Sequence, residues 1–373
     1  MDAWIVTSYA DVVTVLRQFL EGSVWMLQQM QAADIRATTT FTDIMLRSLL
    51  HLNLSEHTRV RMLAAQTFTG ARLAQLRSQL RTIADRLIDA VQESGHMDVI
   101  ADFAVPLPTI FMAEALNAPP SDYGRLLKWS ATFTQMLDDF RDNPGRAWSL
   151  LRHFEEMLLY IRKAIGTPSV RSTESLIHSL LSATIDGSGL TEEEVIVEFV
   201  AMTAGGYKMA VDLIANAVLT LLRHSQLRES VLSDSHILPT AMEEILRYES
   251  PRQYAVRIAP DDLVLQGKLI RKHHSVIAVL GAANRDPEYF PHPDELDFNR
   301  AHNRHLAFDW AAYSRVSAEL VRIQGQIAIE TFLRRFSRLK LTHEPLVWHG
   351  MSGFRELVTL PITFSASKIR KLA

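Results

Sequence analysis

The sequence predicts a mainly α fold with a smaller β portion, on three observations. Leu73, Leu76, Leu80, Ile83, Leu87 and Val91 recur at three- and four-residue steps, the spacing of one buried helical stripe. A second apolar pattern runs from Thr191 to about His224, about 50 Å of helix at 1.5 Å per residue. Strand signals are short and gather mostly beyond Pro251.

Taken in order, Trp4 to Thr7 reads as a strand and Ala10 to Leu16 as a small helix. The pattern turns helical again from Ser55, and the stripe ending at Val91 is followed by Gly95, a residue that stops helices. Another helix spans roughly Gly145 to Ile165, and a loop rich in Ser, Thr and Pro comes next. Thr191-Glu192-Glu193-Glu194 is a capping box, with Thr191 as N-cap and Glu194 reaching back. Gly205-Gly206 interrupts the long helix, at roughly 1 kcal/mol each relative to alanine. Such a pair marks either close helix packing or a local distortion beside a ligand. Leu263 to Leu265, Gln266-Gly267 and Lys268 to Ile270 read as a hairpin, and Ser275 to Leu280 as a buried strand. Val316 to Phe336 is helical and Val358 to Phe364 is β-like. With no repeat and no linker, residues 1–373 read as a single domain.

Bulk composition excludes more than it assigns. The 373 residues carry 39 Lys plus Arg against 42 Asp plus Glu, a net charge of -3, which gives no pull toward nucleic acid or membrane. No apolar run reaches the roughly 18 residues of a spanning helix. The opening Met1-Asp2-Ala3-Trp4 has an acid where a secretory signal has a basic region, so a cytoplasmic protein is expected. The sequence contains no cysteine, which removes disulfides, thiolate nucleophiles and every metal or haem site built on sulfur.

Glu244 and Arg247 stand three apart on a helix, where their side chains can meet. They belong to Glu244-Ile245-Leu246-Arg247-Tyr248, followed by Ser250-Pro251, Arg257, Ala282-Ala283-Asn284-Arg285-Asp286-Pro287, Phe290 and Pro293 to Phe298. In this order and spacing the chain closely resembles the bacterial cytochrome P450 family. Trp4 to Val12, Glu56 to Arg61, the helix from Thr191 and Leu360-Pro361-Ile362 extend the resemblance over nearly the whole chain. An N-terminal helix and strand usual in the family are expected to be missing. The resemblance implies the cytochrome P450 fold.

The family's functional motifs are altered. In the family, the haem loop opens on Phe-Gly and reaches the iron-ligating cysteine seven residues after the Phe. Here Phe308 fits the aromatic start, Asp309, Ala311 and Ser317 fall on glycines, Tyr313 on a haem-contacting basic residue, and Arg315 on the cysteine. Arginine has no free lone pair and stays protonated, so it cannot ligate iron. Residues with a Cβ resist the tight turn that those glycines permit. The family's central Ala-Gly-x-acid-Thr reads Ala204-Gly205-Gly206-Tyr207-Lys208, without the acid and hydroxyl that relay protons to oxygen. His57, Arg61 and Arg257 still match haem-propionate ligands. Their plainer reading is local hydrogen bonding; the sharper one is a vestigial anion site, made more cationic by Lys208 and Arg315, for a carboxylate or phosphate of a small ligand.

No haem is therefore expected, and three functions follow. The chain resembles haem-less homologues that assist glycosyltransferases in antibiotic biosynthesis, which implies a non-catalytic auxiliary with a glycosyltransferase partner. Alternatively the vacated pocket supports haem-free acid–base chemistry, with Tyr207 and Lys208 as candidate catalytic groups; against this, Lys208 would merely pair with an acid such as Asp309. In the third reading haem binds through a non-cysteine ligand, His302 or His305. His273 and His274, adjacent on a predicted strand, point to opposite faces and cannot share a metal.

Overall fold

The computed structural model describes residues 3–21, 54–130, 144–172, 175–200, 202–203, 206–309, 314–342, 345–349 and 353–366. The chain opens with β1 (Trp4–Val6), α1 (Tyr9–Gln18) and β2 (Leu20–Glu21). Next come α2 (Leu54–Ala65), α3 (Gly70–Val91), β3 (His96–Asp98), α4 (Pro106–Ala115) and α5 (Pro144–Ile165). Two short helices follow, α6 (Pro168–Ser172) and α7 (Leu176–Leu181), in the segment read from sequence as a loop. The middle holds the small strands β4 (Thr184–Ile185) and β5 (Ser188–Gly189), then α8 (Glu192–Val200), α9 (Gly206–Arg223), α10 (Ser225–Ser233) and α11 (Leu238–Tyr248). The β-rich part runs through β6 (Ala255–Ile258), β7 (Leu263–Leu265), β8 (Lys268–Ile270) and β9 (Ser275–Ala278) to α12 (Leu280–Ala283). The strand expected over Ser275–Leu280 thus ends at Ala278. Helix α13 (Ser314–Arg335), β10 (Phe336–Leu341) and β11 (Pro361–Ala366) close the fold. No helix among the described residues is long and apolar enough to cross a membrane.

Local chemistry accounts for the boundaries. Ser8 starts α1 by accepting the Asp11 N–H at 3.2 Å. At α8 the capping box is closed in both directions. The Glu194 N–H donates to Thr191 Oγ1 at 3.2 Å, and the Thr191 N–H donates to Glu194 Oε2 at 2.8 Å. Of the expected helix from Thr191 to His224, α8 and α9 are described, with residues 201, 204 and 205 between them outside the described residues. Met202–Thr203 between them are π-helical, and the Thr203 hydroxyl donates back to the Phe199 carbonyl at 2.6 Å, a bond that bends helices. Gly206 explains itself by packing: a Cβ there would lie 3.3 Å from Val321 Cγ2 and 3.7 Å from Ser317 Cβ, so α9 and α13 touch directly. Gly205 lies outside the described residues. In the β7–β8 hairpin, Gln266 and Gly267 both have positive φ, at 48° and 72°, as the tight turn between twisted strands requires.

Sheet order is β1-β9-β6-β2, with β1 parallel to β9 and the other pairs antiparallel; β10-β11-β3 forms a second sheet. The larger hydrophobic cluster joins α3, α4, α9, α11 and α13, and a smaller one packs α1 against β6, β9 and α12. Helices α3 and α13 run side by side with a polar ladder at four-residue steps. Arg77 donates to Gln326 at 2.6 Å, Arg81 to Glu330 at 3.0 Å, and Arg334 to Asp85 at 2.9 Å.

Inside α11, Glu244 and Arg247 form a bidentate pair, Nε to Oε2 and Nη2 to Oε1, both 2.8 Å. Their side chains are 1% and 0% exposed. Arg247 also donates to the carbonyls of Asn284, Pro293 and Glu295 at 2.7–3.0 Å. Glu244 accepts from the Asp297 N–H, Arg300 and Asn303 at 3.0–3.2 Å. One buried pair therefore pins the whole 284–303 segment onto α11.

Arg247→Lys should lower stability by about 3–5 kcal/mol, because a point-like ammonium cannot reproduce a fork that meets Glu244 and three carbonyls. Thermal unfolding followed by circular dichroism measures this, with Lys268→Arg on the exposed hairpin as the control that should change little.

Candidate functional site

The segment 305–309 is fastened before it reaches the site. Leu306 N–H donates to Asn284 Oδ1 at 2.7 Å, and Asn284 Nδ2 donates to Ser250 Oγ at 2.7 Å. His305 Nδ1 accepts the Ala307 N–H at 3.2 Å, so Nε2 carries the ring proton and donates to Glu243 Oε2 at 3.1 Å. Both nitrogens of His305 are engaged within the fold, and His302 is exposed at the surface. Arg322 of α13 donates to Glu243 at 2.7 and 3.0 Å, and its guanidinium lies 4.7 Å from the Phe308 ring centre. Burial alone would raise the Glu243 carboxyl. Hydrogen bonds from His305 and Arg322, together with the Arg322 charge, outweigh burial and hold it at about 2.

Asp309 adopts φ of 65°, the left-handed conformation that favours glycine. The expectation that residues with a Cβ resist this turn is thus corrected here: aspartate is among the few residues that tolerate it. Its side chain, 3% exposed, meets Arg257 Nη2 with both oxygens at 2.7 Å. Arg252 Nη1 adds a third contact at 3.3 Å. Arg257, on β6, is 2% exposed and also donates to the Val256 carbonyl at 3.1 Å.

Lys208 on α9 does pair with acids, but not with Asp309. Its Nζ lies 2.6 and 2.7 Å from the two Asp212 oxygens and 2.9 Å from Glu356 Oε2. The Phe354 ring covers it at 5.6 Å. Two carboxylates share one ammonium, and burial raises Asp212 to about 7 despite Lys208. Tyr207 is buried; burial raises its phenol well above the usual range, and its hydrogen bond with Thr109 opposes that without cancelling it. The expected gain in positive charge therefore fails at Lys208, and Arg257 is matched by Asp309. The side chains of His57, Arg61 and Arg315, and all of Tyr313, lie outside the described residues.

These residues do not fit a haem held in the family's manner. The sequence offers no thiolate. The arginine that the resemblance assigns to a propionate already binds a carboxylate of this chain. Among the described residues, no group of three or more His, Asp or Glu could hold a metal ion.

Sequence reasoning missed Asp212, Glu356, Glu243, Asn284 and Glu198. Asp212 stands four after Lys208, a spacing that pairs side chains on a helix; Glu356 had no local signal. Glu198, one turn after Glu194, has no hydrogen bond or ion pair to a described residue. Burial, with a smaller push from Glu194, raises it to about 7.

A family model described as cytochrome P450 matches residues 212–306. The cytochrome P450 CYP107DY1 of Priestia megaterium is 31% identical, covering 97% of this chain and 90% of its own length. The biotin biosynthesis cytochrome P450 of Bacillus subtilis is also 31% identical, over 97% and 90%. The crystal structure of P450BioI, in complex with an acyl carrier protein ligated to hexadec-9Z-enoic acid, superposes with a TM-score of 0.82 at 30% identity, covering 97% of this chain and 92% of that one. The bacillaene polyketide synthase cytochrome P450 PksS of Bacillus subtilis gives 0.80 at 29% identity, over 97% and 90%.

Lys208→Met should destabilise by about 3–5 kcal/mol, since it strands two carboxylates beside Phe354. Adding Asp212→Leu should recover most of the loss in denaturant unfolding. A second outcome concerns acid. A carboxyl held at about 2 against an ordinary 4.5 stabilises the fold above about pH 4.5 and loses that contribution as pH falls toward 2. Glu243→Gln should therefore make stability fall less steeply through that window, as read by urea midpoints across it.

Proposed function

Because this chain belongs to the cytochrome P450 family but contains no cysteine, we propose that it works without haem, as a non-catalytic auxiliary or activator of a biosynthetic enzyme in natural-product biosynthesis. One observation carries this reading. Where a haem carboxylate would meet Arg257, the chain's own Asp309 does so at 2.7 Å, with both groups almost fully buried. The oxygen-activating positions are likewise spent on structure, Lys208 between Asp212 and Glu356 and Tyr207 in the core. Groups so compensated hold a fold together and leave no thiolate to favour O–O cleavage. A relative of 30% identity has been solved with an acyl carrier protein bound, which supports protein–protein recognition as something this fold does. A glycosyltransferase is the first partner to test.

Haem-free acid–base chemistry in the pocket is the second reading, with Lys208 and Tyr207 as its candidate groups and Glu198 as a further carboxyl that burial raises to about 7. A carboxyl near 7 can both give and take a proton at neutral pH. If this reading holds, Glu198→Gln abolishes turnover of a pathway substrate while partner binding persists.

Absorption spectroscopy decides between haem-free and haem-bound. The purified chain titrated with haem should develop no stoichiometric Soret band. Co-purification and calorimetry with the glycosyltransferase of the same biosynthetic cluster should then give a defined complex and raised transferase turnover. A one-to-one Soret band overturns the proposal, and so does an absence of any effect on transferase activity.

A further inference from the structure

We propose that Asp309 is a built-in carboxylate ligand: it closes from within a carboxylate-binding site formed by Arg257 and Arg252. The inference rests on the haem-free reading and adds to it what fills the anion position. A guanidinium fork buried on β6 needs an anion, since burying an unpaired charge is strongly unfavourable. Its planar donors suit a carboxylate above other anions of similar size. Asp309 supplies that group from a backbone position with φ of 65°, where a side chain is tolerated rather than favoured. It is 3% exposed and meets Arg257 through both oxygens at 2.7 Å, with Arg252 at 3.3 Å. Neither the conformation nor the burial favours an acid there; the ion pair outweighs both. The neighbouring segment is arranged around the same closure. Arg355 N–H donates to the Pro251 carbonyl at 2.7 Å and Gln253 N–H to the Gly353 carbonyl at 2.8 Å, holding the segment that carries Arg252.

The geometry makes the test specific. Asp309→Gly removes the carboxylate and at the same time suits the left-handed backbone, so what it loses is charge and not conformation. In low-salt buffer its unfolding midpoint should drop by several degrees. Formate, acetate and propionate should raise that midpoint saturably toward the wild-type value, while sodium chloride at equal ionic strength should not. Wild type should not respond, because its site is already filled. Asp309→Ser removes the charge and shortens the side chain, so it vacates the position and should show the same carboxylate response if the glycine variant fails to fold. Equal midpoints for wild type and both variants, or a carboxylate response no larger than that to chloride, would overturn the assignment. Haem titration of wild type runs alongside: stoichiometric uptake there defeats the haem-free reading, whereas the carboxylate response of the variants alone decides the role of Asp309.

Discussion

Glu244 and Arg247 set opposite charges 2.8 Å apart in the core of α11, with essentially no water in contact with either. Desolvating two ions is so unfavourable that the pair persists only if every remaining donor and acceptor is met. Meeting them is what organises the surrounding chain. Carbonyls of Asn284, Pro293 and Glu295, the Asp297 N–H, Arg300 and Asn303 all turn inward toward the pair. The 284–303 segment has little regular structure of its own, so its path is largely a consequence of these bonds.

That path delivers residues 305–309 to the site. Asn284, whose carbonyl accepts from Arg247, holds Leu306 by its side-chain oxygen. Glu243, next to Glu244 on α11, anchors His305 and Arg322. These bonds fix the path of the segment up to Asp309. Scaffold and chemistry have separated: the bonds that shape the loop come from α11, and the loss of the ligand does not undo them.

Charge at the site is balanced by pairs that close internally. Arg257 and Arg252 converge on Asp309, and Lys208 is shared by Asp212 and Glu356. Lys208–Asp212 lies within α9, whereas the other pairs join segments far apart in sequence, β6 to the 305–309 loop and α9 to the stretch before β11. Arg257 and Lys208 are thereby part of the packing.

Periodicity and capping were legible from the residues alone because they depend on neighbours three or four apart: the α3 stripe, the Thr191–Glu194 box, the Gln266-Gly267 hairpin and the Glu244–Arg247 spacing. The absence of cysteine was equally decisive, since no fold can supply a missing element. What the residues could not reveal was which charges would meet. Lys208 had several acids within plausible reach; Asp212 stands one turn on in the same helix, but Glu356 was selected by the packing of α9 against the 353–357 segment. The left-handed turn at Asp309 likewise followed from tertiary constraint. Sequence by itself determined the family and the absence of a thiolate, because these rest on residue identity and short-range spacing; the tertiary structure alone decided that Arg257 meets Asp309, because an ion pair between β6 and a distant loop exists only once the chain has folded.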